Sequence, residues 1–313
     1  MAESPITIYV TARAFETETF KECKGRNYID RGLVISQEAP HASVWAQDIW
    51  YNVQKTNFAT LQHNPNLLLS LTKNWHYYPG CSLELRKVTN ELLPLKNEAR
   101  LEFGKPLPAK NFGVIAVFGP ETIFYSTQTH KPAPLGIMEF VENKIVPPNR
   151  AYLKLWEIFT LMQRFPKAGE TCLDLGASPG GWSWVISTFG TQVTAIDKSP
   201  LDARIGKIKN IHFEQGSAFS VQPVHHEPVD WIFSDVICYP ARLLTFIKRW
   251  LASGKVKNMV CTIKLQGDTD MSVIEEFKNL PNSSLLHLYH NKHELTWVYP
   301  ACERLQIAPP AQA

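Results

Sequence analysis

In Thr171-Cys172-Leu173-Asp174-Leu175-Gly176-Ala177-Ser178-Pro179-Gly180-Gly181-Trp182 a short apolar run empties into a glycine-rich loop, and an amphipathic pattern follows. The apolar run has strand composition, and the spacing predicts a helix opening at Pro179, whose missing N–H suits a first helical turn. A strand, a glycine loop and a helix in that order form the place where an open α/β sheet receives a nucleotide-like cofactor. The glycines admit backbone conformations and a close ligand approach that a Cβ would block. The spacing differs from the Gly-x-Gly-x-x-Gly of dinucleotide enzymes, and no Gly-Lys-Ser/Thr follows, so nicotinamide and ATP readings drop. Asp197 ends the next strand, TQVTAID, where an acid can accept hydrogen bonds from both ribose hydroxyls of an adenosine. Its other reading is a cap on the turn Ser199-Pro200-Leu201-Asp202.

Outward from the loop the alternation continues. IHFEQG, DWIFSD, a helix from Tyr239 to Leu251, NMVCTIKL, a helix from Asp270 to Leu280, SLLHLYH and ELTWVYP follow in turn. Such alternation predicts a doubly wound, mostly parallel sheet with right-handed crossovers. The last two strands leave no room for a helix between them and should form an antiparallel hairpin. Residues 301–313 read as a flexible tail. Proline clusters between Thr129 and Pro148 resist regular structure and put a domain boundary near residue 140. The α/β domain then spans 141–300, preceded by a smaller α+β accessory domain, 1–140. In the latter, Ile6 to Ala12, Ser82 to Val88, Gly113 to Gly119 and Thr122 to Gln128 have strand composition, the last two pairing across Gly119-Pro120-Glu121.

At 313 residues, 44% hydrophobic and 19% charged, the chain suits two domains with their own cores. No apolar run is long enough to span a bilayer, and MAESPITIYVTA lacks a secretory pattern, so the expectation is a cytoplasmic protein. Cys23, Cys81, Cys172, Cys238, Cys261 and Cys302 stand singly, which predicts reduced thiols and no metal site. The net charge of +3 permits nucleic-acid binding without demanding it.

Asp174 to Trp182 closely resembles the first motif of the FtsJ-like (RrmJ-type) ribose 2′-O-methyltransferases, in which Pro-Gly-Gly-Trp is unusually specific. The resemblance extends to a Lys-Asp-Lys-Glu set: Lys154 in Asn149-Arg150-Ala151-Tyr152-Leu153-Lys154-Leu155, Asp235 ending DWIFSD, Lys264 in TIKLQG and Glu294 in HNKHELTW. It implies a Rossmann-like fold, S-adenosylmethionine as cofactor and RNA as substrate. The cofactor would lie among Asp174, Gly176, Ser178, Pro179, Gly180, Gly181, Trp182, Asp197, Ser217 and Asp235. Segments of the C-terminal half are similar to those of the bacterial branch that methylates a cytidine ribose of 23S ribosomal RNA. GVIAVFGPETIFYSTQTHKPAPLGI resembles the end of that branch's accessory region, which contains a THUMP-type RNA-binding module. Where the family often has an acid for the adenine amino group, this chain has Gly216 and Ser217, leaving adenine to backbone groups near Ser217 and Ala218.

The implied chemistry makes demands of its own. Methyl transfer is an in-line displacement, so the ribose oxygen must be held behind the methyl and one proton managed. The resemblance makes Lys264 the base, and a neighbouring Lys154 ammonium and partial burial would lower its pKa while Asp235 opposes that shift. Asp235 would orient Lys264, and Glu294 would position Lys154 or the ribose. Singly, each of the four also reads as a snorkelling lysine, a helix cap or a surface charge. Arg150 is the best candidate for touching RNA; Lys198 and the run Lys248, Arg249, Lys255 and Lys257 are weaker, since such runs are usually solvated faces. Trp182, Trp45, Trp50 and Tyr51 read better as core than as stacking platforms. A cap-type enzyme of the same fold and a non-catalytic RNA-binding protein both remain open.

Overall fold

The computed structural model describes residues 5–12, 14–23, 27–64, 66–80, 93, 100–109, 111–267 and 270–305. The chain divides into two compact units, one running to Glu139 and the other beginning at Phe140. Among the described residues, no helix is long and apolar enough to cross a membrane.

The first unit contains β1 (Ile6–Thr11), α1 (Glu16–Glu22), β2 (Asn27–Asp30), β3 (Leu33–Ser36), β4 (Ala46–Thr56), α2 (Phe58–His63), α3 (Asn66–Leu69), β5 (Trp75–Tyr77), β6 (Gly113–Gly119), β7 (Thr122–Ser126) and β8 (Gln128–Thr129). Its sheet runs β2-β3-β1-β4-β7-β6-β5, with β8 also on β4. The β6–β7 hairpin forms as its composition predicts, with Ile115 opposite Tyr125. Alternation along β6 splits its side chains between two cores: Val114 and Ala116 join Ile8, Leu33 and Trp50, while Ile115 and Val117 join Leu61, Leu68 and Trp75. Trp45, Trp50 and Tyr51 are all buried. The strand predicted at Ser82 to Val88 lies outside the described residues.

The second unit opens with α4 (Tyr152–Met162) and continues through β9 (Thr171–Leu175), α5 (Gly181–Ser187), β10 (Gln192–Asp197), β11 (Ile211–Gln215), β12 (Val229–Ser234), α6 (Pro240–Ser253), β13 (Val256–Lys264), α7 (Met271–Lys278), β14 (Ser284–Leu286) and β15 (Glu294–Tyr299). The seven strands order as β11-β10-β9-β12-β13-β15-β14. β9 pairs in parallel with both β10 and β12, so the strand order reverses there and opens a crevice beyond the carboxyl ends of β9 and β12. β15 returns antiparallel between β13 and β14, the hairpin that the short connection predicts.

Local chemistry sets the helix ends. Pro240 stands in the first turn of α6, where its fixed φ suits the helix and its missing N–H has no intrahelical partner to lose. Gly254 ends the same helix at φ 65°, a left-handed conformation that suits glycine. Asp270 caps α7 by accepting from Ser272 N. α4, YLKLWEIFTLM, is apolar nearly all round and every residue of it is buried. Its Phe159 ring meets Phe233 of β12 edge-on at 6.0 Å.

Two expectations change. α5 begins at Gly181 with Gly180 as its cap, so Pro179 belongs to the preceding loop. The start of the expected tail is fixed: Ala301 N donates to Asn282 O at 2.6 Å, and Glu303–Leu305 forms a 3₁₀ turn. Backbone hydrogen bonds satisfied in this way hold a segment that its composition marks as frayed. Residues 306–313 lie outside the described residues.

Candidate active site

At the reversal point β9 and β12 come so close that a Cβ on Gly176 would stand 2.8 Å from the Val236 Cα. Gly176 also adopts φ +78°, so both space and conformation exclude a side chain there. Gly180 turns the chain into α5 at φ +112°. Across the loop, Asp197 at the end of β10 accepts from Ser178 N at 3.1 Å through Oδ2 and from Ser199 N at 2.8 Å through Oδ1. It therefore caps the following turn and also ties the glycine loop to β10, with lone pairs left over for a ligand.

These residues border a cleft of about 430 Å³, a size suited to a small-molecule cofactor. Of the cofactor set read from sequence, Gly176, Ser178, Asp197, Ser217 and Asp235 line it. Pro179, Gly180, Gly181 and Trp182 do not line it. Trp182 is core: its Nε1 donates to Ala151 O at 2.9 Å, and its ring meets Phe233 edge-on at 6.4 Å. Asp174 is sealed beneath the loop, where its Oδ2 accepts from Ser183 Oγ at 2.5 Å. Burial pushes its carboxyl up to about 7 against the lowering influence of Ser183. Its side chain holds the first turn of α5.

Beside the cleft, four separated residues converge. Lys154 of α4 reaches both oxygens of Asp235 at 2.7 Å and Glu294 Oε1 at 2.9 Å. Lys264, the last residue of β13, reaches Asp235 Oδ1 at 2.5 Å and also pairs with Glu294 Oε2. Lys264 and Glu294 are direct cross-strand partners, because antiparallel β15 starts where β13 ends. Thr262 Oγ1 adds a bond to Asp235 Oδ1 at 2.6 Å. The two ammonium groups and two carboxylates close a nearly buried ring of charge, with Lys154 Nζ 5.9 Å from the Trp182 ring centre.

The electrostatics correct one expectation. Burial lowers the Lys264 pKa, but the carboxylates of Asp235 and Glu294 outweigh it, and the net direction is upward. For Asp235, burial works against the charged form, and Lys154 and Lys264 overturn it, leaving the carboxyl below the usual range. Glu294 contacts both lysines, where sequence reasoning had given it Lys154 or the ribose.

Arg150 is largely exposed and paired with Glu142 at 2.9 Å. With Lys144, Pro147 and Asn149 it borders a second hollow of about 430 Å³. Lys198 lines the cofactor-sized cleft. The basic run is absorbed locally: Lys248 pairs with Glu276, Arg249 with Gln222, Lys255 with His226 O and Lys257 with Asp230. Sequence reasoning missed Phe219 and Arg242, which also line the cleft, the guanidinium sitting 4.2 Å from the ring centre. No local pattern marks them. It also missed Thr262, though its place two residues before Lys264 on β13, hence on the same face, is a usable signal.

Residues 147–288 match the family model described as FtsJ-like methyltransferase. Among curated proteins, "Ribosomal RNA large subunit methyltransferase M" of Thauera aminoaromatica is 30% identical over 165 residues, 48% of this chain and 45% of that protein. The protein of the same name from Xanthomonas oryzae pv. oryzae is 29% identical over 230 residues, 67% of this chain and 65% of that one. The chain thus matches about half the length of the first of these relatives. A solved structure of Aeropyrum pernix fibrillarin with bound S-adenosyl-L-methionine aligns at 16% identity and a TM-score of 0.36, covering 62% of this chain and 84% of that one.

Proposed function

We propose that this chain is an S-adenosylmethionine-dependent methyltransferase that modifies a ribose 2′-hydroxyl of RNA, with ribosomal RNA as its substrate and the cytoplasm as its place of work. The observation that carries this reading is the closed Lys154–Asp235–Lys264–Glu294 ring beside a glycine-loop cleft that ends in Asp197. A 2′-hydroxyl target means RNA, since DNA lacks the group. The cleft suits the cofactor: Asp197 retains acceptor capacity for ribose hydroxyls, and Ser217 and Ala218 offer polar backbone for the adenine edge. S-adenosylmethionine supplies a methyl on a positively charged sulfur, which leaves with the bonding electron pair.

Lys264 takes the proton. Its contacts with Asp235 and Glu294 favour the ammonium form, so the base is made when the incoming hydroxyl displaces a carboxylate and the ammonium gives its proton to solvent. Nζ then accepts the 2′-hydroxyl proton as the oxygen–methyl bond forms. Asp235 holds Lys264 and Lys154 in register, and Lys154 and Glu294 fix the remaining geometry. Arg150 steers the RNA backbone from the rim. The first unit serves as the accessory RNA-binding module, supported by a Xanthomonas match longer than the second unit.

The deciding experiment incubates the chain with radiolabelled S-adenosylmethionine and total bacterial RNA and maps the labelled nucleotide. Label on a ribose 2′-oxygen of ribosomal RNA is expected; label on a base or on protein overturns the reading. Lys264→Ala should abolish transfer while cofactor affinity, measured by calorimetry, stays near wild type. Because the base works only when neutral and its pKa is raised, wild-type turnover should climb with pH from neutral into the alkaline range.

A further inference from the structure

Glu157 lies on α4 one turn beyond Lys154, and only 1% of the residue is exposed. The reaction proposed above does not use it. Its Oε1 accepts from Tyr289 N at 2.7 Å, and its Oε2 accepts from His290 N at 2.9 Å and from His290 Nδ1 at 2.8 Å. Nδ1 must carry the proton in that contact, because a carboxylate oxygen can only accept. The next residue, Asn291, donates through Nδ2 to Glu294 Oε1 at 3.3 Å, while its Oδ1 accepts from Leu288 N at 2.8 Å and Thr296 Oγ1 at 3.1 Å. Glu294 Oε1 in turn stands 2.9 Å from Lys154 Nζ. The chain of contacts leaves α4 at Glu157 and returns to it at Lys154.

We propose that Glu157 is a positioning residue, which clamps the Leu288–Asn291 loop to α4 so that Asn291 holds Glu294 against both lysines of the active site. Three N–H donors converge on one buried carboxylate, so an apolar replacement would orphan all three. Glutamine keeps one acceptor oxygen but turns an NH₂ toward donors. A residue that only fastened the loop would leave the surroundings of Lys264 unchanged. A residue that positions Glu294 sets how strongly a carboxylate bears on Lys264. Among the described residues, the charged or titratable groups around Lys264 are Asp235, Glu294, Lys154, which shares both carboxylates, and the Cys238 thiol, which feels the lysine's charge. Of these, Glu294 and Lys154 belong to the Glu157 circuit, and Glu294 is the one that Asn291 holds directly.

The inference rests on the proposed reaction only for its kinetic consequence, and its first test needs no RNA. In the full chain with lysines labelled at ¹³Cε, the Lys264 resonance, assigned with Lys264→Arg, is followed through a pH titration in wild type and Glu157→Gln. Loosening Glu294 removes a raising influence, so the midpoint should fall by roughly one pH unit. With RNA, kcat should drop about 10- to 100-fold while cofactor Kd and RNA KM stay within about twofold. An unmoved Lys264 midpoint overturns the proposal, whatever happens to kcat. If Glu157→Gln does not fold, His290→Ala removes one of the three donors. It should shift the midpoint by less and in the same direction, and an unmoved midpoint there is equally fatal. Failure of the wild type to methylate ribose would sink the proposed function alone, because the titration is read independently.

Discussion

Asp174 and Asp235 sit at the carboxyl ends of neighbouring strands, β9 and β12, and both are largely withdrawn from water, yet their carboxyls are driven in opposite directions. Asp174, given the hydroxyl and backbone N–H of Ser183 but no cation, is pushed up to about 7 by burial. Asp235, given two ammonium groups, is held below the usual carboxylate range in spite of burial. In this crevice the partner decides the charge. One strand end holds an acid whose charge is in balance near neutral pH, and the adjacent one holds a fixed anion between two lysines beside the cleft.

The contrast breaks most visibly at Asp235. Asp235→Asn leaves Lys154 and Lys264 facing each other with one carboxylate between them, and turnover should fall by about 10³-fold or more, measured as initial rate on RNA. The same change should cost roughly 3–5 kcal/mol of stability, since it strands a buried charge; near-normal activity would remove Asp235 from the mechanism. Asp174 has the opposite sign with pH. Between about pH 4 and pH 7 the folded state keeps a proton that the unfolded chain has released, so this residue's contribution to stability falls as pH rises through that window. For Asp235 the contribution is present above the ordinary carboxylate pKa and is lost as pH falls through its lowered folded value. Relative to Asp174→Asn, the wild-type denaturant midpoint should therefore lose ground as pH rises from about 4 to 7, and identical pH slopes in the two proteins would mean that Asp174 titrates normally. The smallest expected effect is at Thr262: Thr262→Val removes one hydrogen bond to Asp235 and should cost about 1–3 kcal/mol in urea unfolding. A neutral result would assign all of Asp235's support to the lysines.

Contiguous features were legible in the sequence, and contacts across the fold were not. The loop from Gly176 to Gly181 and the acid at Asp197 are written in one strand–loop–helix–strand run, where composition and order suffice. Lys154, Asp235, Lys264 and Glu294 emerge only through a family resemblance, because their meeting depends on sheet order. Helix α5 begins later than Pro179 because Gly180, in a left-handed conformation, makes the turn into it. The resemblance set Lys154 and burial against Asp235 alone at Lys264, and no sequence pattern shows that Glu294 adds a second carboxylate that turns the shift upward. Glu157 and His290 stand 133 positions apart, and Phe219 and Arg242 come from separate elements, so no local pattern could join them.

The antiparallel return of β15 also has a consequence for how the protein is made. Lys154, Asp235 and Lys264 all leave the ribosome before Glu294, which begins the last strand of the sheet. Without that strand the set would hold two ammonium groups and a single carboxylate. The second carboxylate of the ring is the last to be synthesised, so a chain stalled before Glu294 would contain the glycine loop and both lysines but lack half of the negative charge that balances them.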